Sequence, residues 1–423
     1  MLLLQYLREN RADVLERLAK RKFKHPELVD TVLAHDQDRR RIQKELDETL
    51  ARANAIAKEV GILFKEGKKD EAEQAKAESS SLKEVSKNLE EQLQLKEQEL
   101  HDALVLIPNT PHPSVSIGTT PEENEIVANF GEAIPMPEGA IPHWDLAKKY
   151  DLIDFELGVK ITGAGFPVYK GQGAKLQRAL INFFLDQATK QGYIEHEPPI
   201  MINKESGYGT GQLPDKDGQM YYVAEDELYL IPTAEVPLTN LYRDVILKEE
   251  DFPIKMTGYT PCFRREAGSY GKDVRGLNRL HQFDKVEIVQ LQHPDLSYQA
   301  LEEMKDYVAS LLKSLELPFR ILKLCGGDMG FTSAMTYDME VFSAAQQKWL
   351  EVSSVSNFET FQANRLKLRF KDKQGKMQIA HTLNGSALAL PRIVAALLEN
   401  NQGPDGIKLP QVLVPYMGTT HIR

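Results

Sequence analysis

The first quarter of the chain carries the hydrophobic pattern of a long helical hairpin. Between residues 28 and 104, apolar positions recur at alternating steps of four and three, which keeps them on one side of a helix. The clearer run comprises Ile42, Leu46, Thr49, Ala53, Ile56, Val60 and Leu63, and a weaker run comprises Leu82, Val85, Leu89, Leu93, Leu100 and Leu104. The pattern predicts an antiparallel two-helix coiled coil over about 28–104, within an N-terminal helical domain of residues 1–105.

The segment between the two runs predicts the turn of this hairpin. Gly61 and Gly67 interrupt the helical pattern, and Asp70 is placed to cap the second helix. A helix of about 35 residues projects roughly 50 Å, which is further than the radius of a compact domain. We therefore expect the arm to contact a large partner.

A proline-rich segment separates the arm from a second domain with a different pattern. The prolines between Ile107 and Pro121 cannot continue a helix, so a linker is predicted at 106–122. Residues 123–423 then alternate helical stretches with β-rich runs, the helical ones at 174–191 and 295–315 and the β-rich ones at 220–231, 286–291, 319–324 and 366–370. The order is irregular and not a repeating βαβ unit. The second domain is therefore predicted to be α+β with an antiparallel β-sheet.

Charge and apolar content exclude several classes of protein. With 62 acidic residues, 52 basic residues and a net charge of −10, the chain is not expected to coat DNA. The basic clusters at 39–41 and 65–69 are either solvated helix faces or local contacts with nucleic acid. No apolar run approaches the roughly 20 residues of a membrane span, the first residues lack a basic leader, and the two cysteines stand far apart. We expect a cytoplasmic protein that binds neither membranes nor DNA.

Two segments are candidates for chemistry on their residue types alone. Gly207, Gly209 and Gly211 do not have the spacing of a dinucleotide-binding motif, so this segment is either a mobile loop or a substrate lid. Arg264 and Glu266 are two residues apart and would project from one face of an extended strand. That face would carry a phosphate-pairing guanidinium beside a hydrogen-bond acceptor, although for these two residues alone an ordinary ion pair on a strand face is the favoured explanation.

Three segments, in the required order, resemble the signature motifs of class II aminoacyl-tRNA synthetases. Residues 185–203 resemble motif 1, a helix and a strand with a proline at the dimer interface, here Pro199. Residues 257–287 resemble motif 2 through Phe263-Arg264-Arg265-Glu266 and the later His281-Gln-Phe283. Residues 381–399 resemble motif 3, which carries an arginine, here Arg392, although Ala387 and Pro391 interrupt the glycine-rich pattern of the wider class.

Further segments narrow the resemblance to the seryl-tRNA synthetases, of bacterial type. They include Thr233-Ala-Glu235, the residues that follow Arg265, Cys325-Gly-Gly-Asp-Met-Gly330 and Glu351-Val-Ser-Ser354. The resemblance spans essentially the whole chain, including the helical arm. It implies the class II catalytic fold, an antiparallel β-sheet domain preceded by the long coiled coil.

The resemblance implies that this domain binds ATP and Mg²⁺. Arg264 would contact the α-phosphate and the serine carboxylate, Glu266 would accept from the adenine amino group, and Phe283 would stack on adenine. Arg392 would hold the γ-phosphate, so Arg264 and Arg392 are the candidate catalytic residues. The candidate Mg²⁺ ligands are Glu351 and Ser354, and the other candidate ATP-binding residues are Arg265, Val352 and Ser353.

The resemblance also implies serine and tRNA as substrates. The candidate serine-binding residues are Thr233, Ala234, Glu235, Arg264, Glu287 and Ser386. The enzyme would convert L-serine and ATP to seryl-adenylate and pyrophosphate, and then transfer serine to the 3′-terminal ribose of tRNA(Ser). Whether tRNA(Sec) is also charged stays open. The arm would bind the tRNA, and in a homodimer the arm of one subunit would serve the active site of the other.

Three other functions compete with this interpretation. A related ligase that loads an amino acid onto a carrier protein would lack the arm at 28–104. A coiled-coil interaction protein with an inactive catalytic fold would be expected to have lost residues such as Arg264, Glu351 or Arg392, and all are present. A class II enzyme for another amino acid is disfavoured by the segment Thr233-Ala-Glu235.

Overall fold

The computed structural model describes residues 1–132, 139–266 and 275–423. These residues divide into two compact units, one of residues 1–19 with 23–108 and one of residues 20–22 with 109–423. The helices are α1 Leu4–Glu9, α2 Arg11–Lys20, α3 Leu28–Lys65, α4 Lys69–Leu104, α5 His143–Lys149, α6 Phe155–Ile161, α7 Gly171–Lys190, α8 Lys204–Thr210, α9 Glu235–Asn240, α10 Ser297–Ser314, α11 Thr360–Leu366, α12 Leu390–Asn400 and α13 Val414–Met417. The strands are β1 Glu125–Phe130, β2 Ile153–Asp154, β3 Val168–Tyr169, β4 Ile194–Glu195, β5 Met201–Ile202, β6 Tyr222–Val223, β7 Leu228–Leu230, β8 Ile246–Lys248, β9 Ile254–Phe263, β10 Gln282–Gln292, β11 Phe319–Lys323, β12 Met335–Ser343, β13 Lys348–Asn357, β14 Arg369–Lys371, β15 Met377–Ile379, β16 His381–Ala389, β17 Gln402–Gly403, β18 Gly406–Lys408 and β19 His421–Ile422.

The first unit is dominated by the helical hairpin of α3 and α4, as the periodicity predicts. The two helices have 38 and 36 residues and pack against each other along their length. The buried positions of α3 follow the predicted seam at Ile42, Leu46, Ala53 and Ile56. The two-helix coiled coil is confirmed.

The seam of α4 differs from the prediction. Val85 is 45% exposed, and Ser86 is buried in its place. Ser86 continues a seven-residue repeat of buried small residues from Ala72 and Ser79. Small polar residues at seam positions therefore explain why the second run has the weaker apolar rhythm.

The turn of the hairpin is shorter than the two glycines suggest. Gly61 lies inside α3, and the chain reverses at residues 66–68, where Gly67 adopts a φ of +75°. Asp70 is the second residue of α4 and not its cap, so that part of the prediction was wrong. Its carboxylate still lies in the first turn, where the helix dipole favours negative charge.

The basic cluster at 39–41 is paired within the same unit. Arg39 and Arg40 both contact the buried carboxylate of Asp36, at 3.0 and 3.1 Å. Arg41 lies 3.1 Å from Glu45 on the next turn of α3. These guanidiniums therefore stabilise the helix on which they lie.

The second unit is built on an eight-stranded sheet with the order β1-β11-β12-β13-β16-β10-β9-β4. All neighbouring strands in it are antiparallel except β4 and β9, which are parallel. The predicted α+β fold with an antiparallel sheet is confirmed, apart from this edge pair. The β-rich run at 220–231 forms only β6 and β7, and Leu366 ends α11 instead of starting a strand.

The central strand β10 separates the two faces of this sheet. Val286 and Ile288 belong to the larger apolar core, which includes residues of α7, α10 and α12. Val289 and Leu291 belong to a second core with residues of α9 and α11. Because side chains alternate along a strand, Glu287 lies on the same side as Val289 and Leu291.

Hydropathy along the described helices gives no indication of a membrane-spanning segment. No helix in residues 1–132, 139–266 and 275–423 is long and apolar enough to cross a membrane.

Candidate active site

A cavity of about 170 Å³ lies beside β10, which contributes Phe283 and Lys285 to its wall. Motif 2, motif 3 and the segment that begins at Glu351 contribute to its wall, which is formed by Arg264, Glu266, Leu277, Asn278, Arg279, Leu280, Phe283, Lys285, Glu351, Val352, Ser353, Ser386, Ala389, Pro391 and Arg392. The structure therefore brings together predicted ATP-binding residues that are up to 128 positions apart, from Arg264 to Arg392.

Arg264 and Glu266 are positioned at the cavity by a turn after β9, and not by a shared strand face as the sequence suggests. Strand β9 ends at Phe263, and Glu266 adopts a φ of +49°, so the prediction of one shared strand face was wrong. The guanidinium carbon of Arg264 lies 5.3 Å from the centre of the Phe283 ring, and its Nε donates to the carbonyl of Pro232 at 3.4 Å. The turn after β9, not strand alternation, thus places both side chains at the cavity.

Glu266 has a cationic neighbour that the sequence motifs did not single out. Arg279 Nη1 lies 3.0 Å from Glu266 Oε2. The Glu266 side chain is 15% exposed, against 47% for Arg279. The carboxylate is thereby held at the cavity wall by a guanidinium on the returning side of motif 2. Residues 267–274, which include most of the motif 2 segment after Arg265, lie outside the described residues.

Arg265 points away from this cavity. Its guanidinium carbon lies 5.9 Å from the centre of the Tyr221 ring, and its backbone N–H donates to the carbonyl of Gln219 at 2.9 Å. Tyr221 in turn hydrogen-bonds His281 across 2.8 Å, and Phe166 stacks on the same imidazole. The Arg265 side chain therefore belongs to an aromatic cluster next to the site.

Arg392 projects from the first turn of α12. Pro391 is the second residue of this helix, where its missing N–H and fixed φ are compatible with a helix start, so it does not disturb motif 3. The Arg392 side chain donates to two carbonyls, from Nε to Asn278 at 3.2 Å and from Nη1 to Glu351 at 2.6 Å. It is thus pre-positioned between motif 2 and β13.

The two candidate metal ligands share a face of the sheet because β13 contains a β-bulge. Glu351 and Ser354 are three residues apart, so a regular strand would place them on opposite faces. In the observed register Ser354 lies opposite Asp338 and Glu351 lies opposite Glu340, while Val352 between them has no partner. The extra residue therefore turns both ligands to the same side.

Asp338 adds a buried carboxylate to this face. Burial and the charge of Glu351 raise its pKa well above the usual range, and a hydrogen bond with Ser354 only partly opposes them. Its Oδ1 is buried without a hydrogen-bond partner in the structure. Within the described ranges, no group of three or more His, Cys, Asp or Glu residues could hold a metal ion. Glu351 and Ser354 would thus supply two oxygen ligands, and this fits Mg²⁺, which takes its remaining ligands from phosphates and water.

The candidate serine-binding residues form a connected polar cluster. The Thr233 hydroxyl donates to Glu287 Oε2 at 3.3 Å, and it accepts the backbone N–H of Glu235 at 3.2 Å. Ser386 lies opposite Glu287 in the pairing of β10 with β16. Lys285, two residues before Glu287 on the same strand face, contacts Glu287 Oε2 at 2.7 Å.

The two carboxylates of this cluster have raised pKa values. Burial, and then the charge of Glu287, raise the pKa of Glu235 to about 7. Burial also raises the pKa of Glu287, although Lys285 opposes the shift. Gln362 Nε2 donates to Glu235 Oε1 at 2.7 Å and lowers its pKa, while Gln362 Oε1 accepts the Thr382 hydroxyl at 2.7 Å. Burial therefore disfavours the ionised forms of these two carboxyls, and a cation bound beside them would favour their ionisation.

The remaining candidates have distinct surroundings. Ala234 is buried in the second apolar core, and the Ser353 hydroxyl donates to the carbonyl of Ser386 at 2.6 Å. Val352 and Ser353 line the cavity, chiefly through the bulge that displaces them. Pro199, the motif 1 candidate, is exposed in the segment after β4.

The glycine-rich segment around Gly209 forms neither of the structures considered for it. It lies in helix α8, in which Ser206, Gly207, Gly209 and Thr210 are buried. A Cβ on Gly209 would lie 2.6 Å from a methyl carbon of Leu366. The glycines therefore allow close packing of α8 against α11, and the loop interpretation was wrong.

Two cavity residues, Lys285 and Arg279, and one neighbour of the serine-binding candidates, Gln362, were missed at the sequence level, for different reasons. Lys285 is two residues from Glu287 on β10, and strand alternation could therefore have placed it on the same face. Arg279 was visible as a basic residue in the motif 2 segment, but nothing linked it to Glu266. Gln362 lies on α11, 127 positions from Glu235, and no spacing rule connects the two.

Comparisons with known proteins agree with this architecture. The family of the seryl-tRNA synthetase N-terminal domain matches residues 1–111, and that of the class II tRNA synthetase core domain (G, H, P, S and T) matches residues 221–401. The chain is 50% identical to a serine–tRNA ligase of Salinibacter ruber, over 100% of this chain and 99% of that protein. A serine–tRNA ligase of Akkermansia muciniphila is 46% identical, with 100% and 99% covered.

Solved structures give the same answer. The crystal structure of seryl-tRNA synthetase from Pyrococcus horikoshii complexed with ATP aligns with a TM-score of 0.93 and 32% identity, covering 100% of this chain and 99% of that one. The cytoplasmic serine–tRNA ligase of Naegleria fowleri in complex with AMP aligns with a TM-score of 0.86 and 28% identity, covering 98% and 96%. The chain therefore belongs to the seryl-tRNA synthetase family, the class II ligases that join serine to tRNA.

Proposed function

We propose that the cavity binds ATP and L-serine and forms seryl-adenylate from them. The observation that carries this proposal is the convergence of Arg264, Glu266, Phe283, Glu351 and Arg392 on one cavity beside a buried carboxylate cluster. Adenine stacks on Phe283, and its amino group donates to Glu266. The relative from Pyrococcus horikoshii is described as complexed with ATP, which supports a nucleotide at this place.

In the first step the serine carboxylate oxygen attacks the α-phosphorus of ATP, and the bond to pyrophosphate breaks. The carboxylate is already a nucleophile, so no general base is needed. Arg264 neutralises charge on the α-phosphate and orients the serine carboxylate, and Arg392 holds the γ-phosphate of the leaving group. Guanidiniums suit these roles because their paired N–H groups match the oxygens of phosphate and carboxylate.

Glu351 and Ser354 would hold Mg²⁺, which would supply further neutralisation of the phosphates. The bulge at Val352 supports this assignment because it turns both side chains to one face of the sheet, with Glu351 at the cavity wall. Arg265, Val352 and Ser353 complete the nucleotide-binding segment, with Val352 and Ser353 contributing through their position on the bulge and Arg265 through its packing on Tyr221.

Serine binds where Thr233, Glu235, Glu287 and Ser386 meet, with Ala234 forming the backbone between the first two. Glu235 and Glu287 receive its ammonium, and the hydroxyls of the pocket pair with its small hydroxyl. A pocket that hydrogen-bonds a hydroxyl rejects alanine, because its own buried polar groups would lose their partners.

In the second step serine is transferred to the 3′-terminal ribose of tRNA(Ser), and tRNA(Sec) is a further candidate acceptor. The arm formed by α3 and α4 binds the tRNA by its shape and backbone, as suits double-helical RNA. The enzyme acts in the cytoplasm as a homodimer with Pro199 at the interface, so that the arm of one subunit serves the active site of its partner.

ATP–pyrophosphate exchange with serine, threonine, alanine and glycine tests the proposal. Exchange is expected with serine alone, and Arg264→Ala should reduce it at least 100-fold, about 3 kcal/mol of transition-state stabilisation. Arg265→Ala is the matched control, because the neighbouring guanidinium packs on Tyr221 and its loss should cost much less. Serine-dependent exchange no higher than with alanine would contradict the proposal.

A further inference from the structure

A buried histidine–glutamate pair lies beside the nucleotide cavity and has none of the roles described above. His143, the first residue of α5, and Glu399, near the end of α12, are at most 1% exposed. His143 Nδ1 lies 2.6 Å from Glu399 Oε1, and the backbone N–H of His143 donates to the same oxygen at 3.1 Å. Glu399 Oε2 accepts the Ser343 hydroxyl at 2.5 Å and the N–H of Ala345 at 3.3 Å.

These hydrogen bonds keep the carboxylate ionised. Burial raises the pKa of Glu399, but the hydrogen bonds from His143 and Ser343 outweigh it, and the net shift is downward. The pair is therefore a satisfied charged group in the interior. It joins α5, α12 and the turn between β12 and β13.

The other ring nitrogen of His143 faces motif 2. The backbone N–H of Leu277 donates to His143 Nε2 at 2.9 Å. An amide N–H can only donate, so Nε2 carries no proton, and the proton of the neutral imidazole lies on Nδ1, where it is donated to Glu399. Glu399 thus selects the tautomer that can accept from Leu277.

The chain next to Leu277 is adapted to this contact. Gly276 has a φ of +68°, and a Cβ on it would lie 2.2 Å from His143 Nε2. The guanidinium carbon of Arg275 lies 4.6 Å from the centre of the Trp144 ring. The start of α5 therefore contacts three consecutive residues of motif 2, and glycine is the residue that permits so close an approach.

The held segment forms one wall of the cavity. Leu277, Asn278, Arg279 and Leu280 all line it. The Asn278 carbonyl accepts from Arg392, and its side-chain amide exchanges hydrogen bonds with Gln346 at 2.8 and 3.2 Å. The position of Leu277 therefore influences two residues proposed to contact ATP. It influences Arg392 through Asn278 and Glu266 through Arg279.

We propose that His143 is a positioning residue for ATP: by accepting the Leu277 N–H, it fixes the wall formed by residues 277–280, and Glu399 holds its ring in the accepting tautomer. The inference rests on the proposed function of the cavity as the ATP site. Leu277 is 1% exposed, so without this acceptor its N–H is buried without a partner. Residues 277–280 then relax, and ATP binds more weakly because its binding must restore their arrangement.

Two substitutions distinguish the hydrogen bonds made by the two ring nitrogens of His143. His143→Asn places an amide nitrogen near the position of Nδ1, which keeps a donor to Glu399 but removes the acceptor for Leu277. His143→Gln places an amide oxygen near the position of Nε2, which keeps that acceptor. In serine-dependent ATP–pyrophosphate exchange, His143→Asn should raise the KM for ATP about tenfold. The KM for serine should change less than twofold, and His143→Gln should restore most of the ATP affinity.

Phe184→Leu is the control for a general loss of stability. It removes volume from a fully buried residue of α7 in the larger core. It should lower the thermal unfolding temperature without changing the KM for ATP. Equal ATP KM values for the Asn and Gln variants, or an equal rise in Phe184→Leu, overturn the inference. If His143→Asn does not fold, Gly276→Ala, which displaces the loop from the other side, must raise the KM for ATP, and an unchanged KM overturns it. Absence of exchange in the unmodified enzyme would instead contradict the proposed function.

Discussion

Serine binding is expected to weaken as the pH falls through 7, because Glu235 must be ionised to receive the substrate ammonium. Burial and Glu287 raise the pKa of Glu235 to about 7. The ionised fraction of such a group is ~0.8 at about pH 7.5 and ~0.1 at about pH 6. Since kcat/KM reports ionisation of the free enzyme, its value for serine should fall about eightfold between these pH values.

Ionisation of Glu235 affects folding stability in the opposite direction from serine binding. The pH dependence therefore distinguishes weaker serine binding from unfolding. A carboxyl whose pKa is raised on folding binds more protons in the folded than in the unfolded state. Glu235 therefore makes the protein less stable as the pH rises from its unfolded pKa of 4.5 towards 7. A decline of serine activation at low pH consequently cannot come from this residue unfolding the protein.

Gln362 provides the perturbation that tests the assignment. Its amide donates to Glu235 Oε1 at 2.7 Å and lowers the pKa of Glu235, so Gln362→Leu should move the midpoint of the profile to higher pH. Gln299→Leu is the matched control, because Gln299 is exposed on α10 and its amide donates to the neighbouring Glu303 at 2.9 Å.

The assay is ATP–pyrophosphate exchange at saturating ATP, with kcat/KM for serine measured from about pH 5.5 to about pH 8.5, which spans the titration of Glu235 and its expected shift. The KM for ATP, measured in parallel, should lack this inflection. A flat serine profile would refute the role of Glu235. A midpoint that moves to lower pH in Gln362→Leu, or one that moves equally in Gln299→Leu, would refute the role of the Gln362 hydrogen bond.

Two further predictions concern the metal ligands and the arm. Ser354→Ala should raise the Mg²⁺ concentration needed for half-maximal exchange several-fold, whereas Ser353→Ala, whose hydroxyl is bonded to a backbone carbonyl, should leave it nearly unchanged; equal effects would contradict the bulge argument. Deleting residues 28–104 should preserve exchange but abolish charging of tRNA(Ser), measured by aminoacylation with radiolabelled serine, and intact charging would contradict the role of the arm.

The arm was predictable from sequence because its rule is local. A coiled coil requires a repeat of about 3.5 residues, and the repeat in α3 identifies the buried residues directly. The rule failed for Val85 because it looks for apolar side chains, whereas α4 buries Ser79 and Ser86. A seam tolerates small polar residues, so an apolar residue next to the true position misled the prediction.

The candidate site residues were named by resemblance, but their geometry could not be predicted from the sequence. Strand alternation suggests that Arg264 and Glu266 share a face, yet the strand stops before both of them. Alternation equally suggests that Glu351 and Ser354 do not share a face, yet they do. Gln362 reaches Glu235 only through the packing of α11, a contact across 127 positions that no local rule describes.

These failures share a physical cause that bears on how the site works. Regular strands present side chains at fixed intervals to two faces, which cannot by itself bring a guanidinium, a carboxylate and an aromatic ring around one nucleotide. Around this cavity the regular geometry is broken three times: by the end of β9 before Arg264, by the bulge at Val352, and by the register shift between β10 and β16 at Lys285 and Glu287. Each irregularity re-aims side chains toward the same space, and the neighbouring hydrogen bonds of Arg392 and His143 hold the resulting loops. Sequence rules derived from regular elements therefore fail where the site is built, since the site consists of departures from those elements.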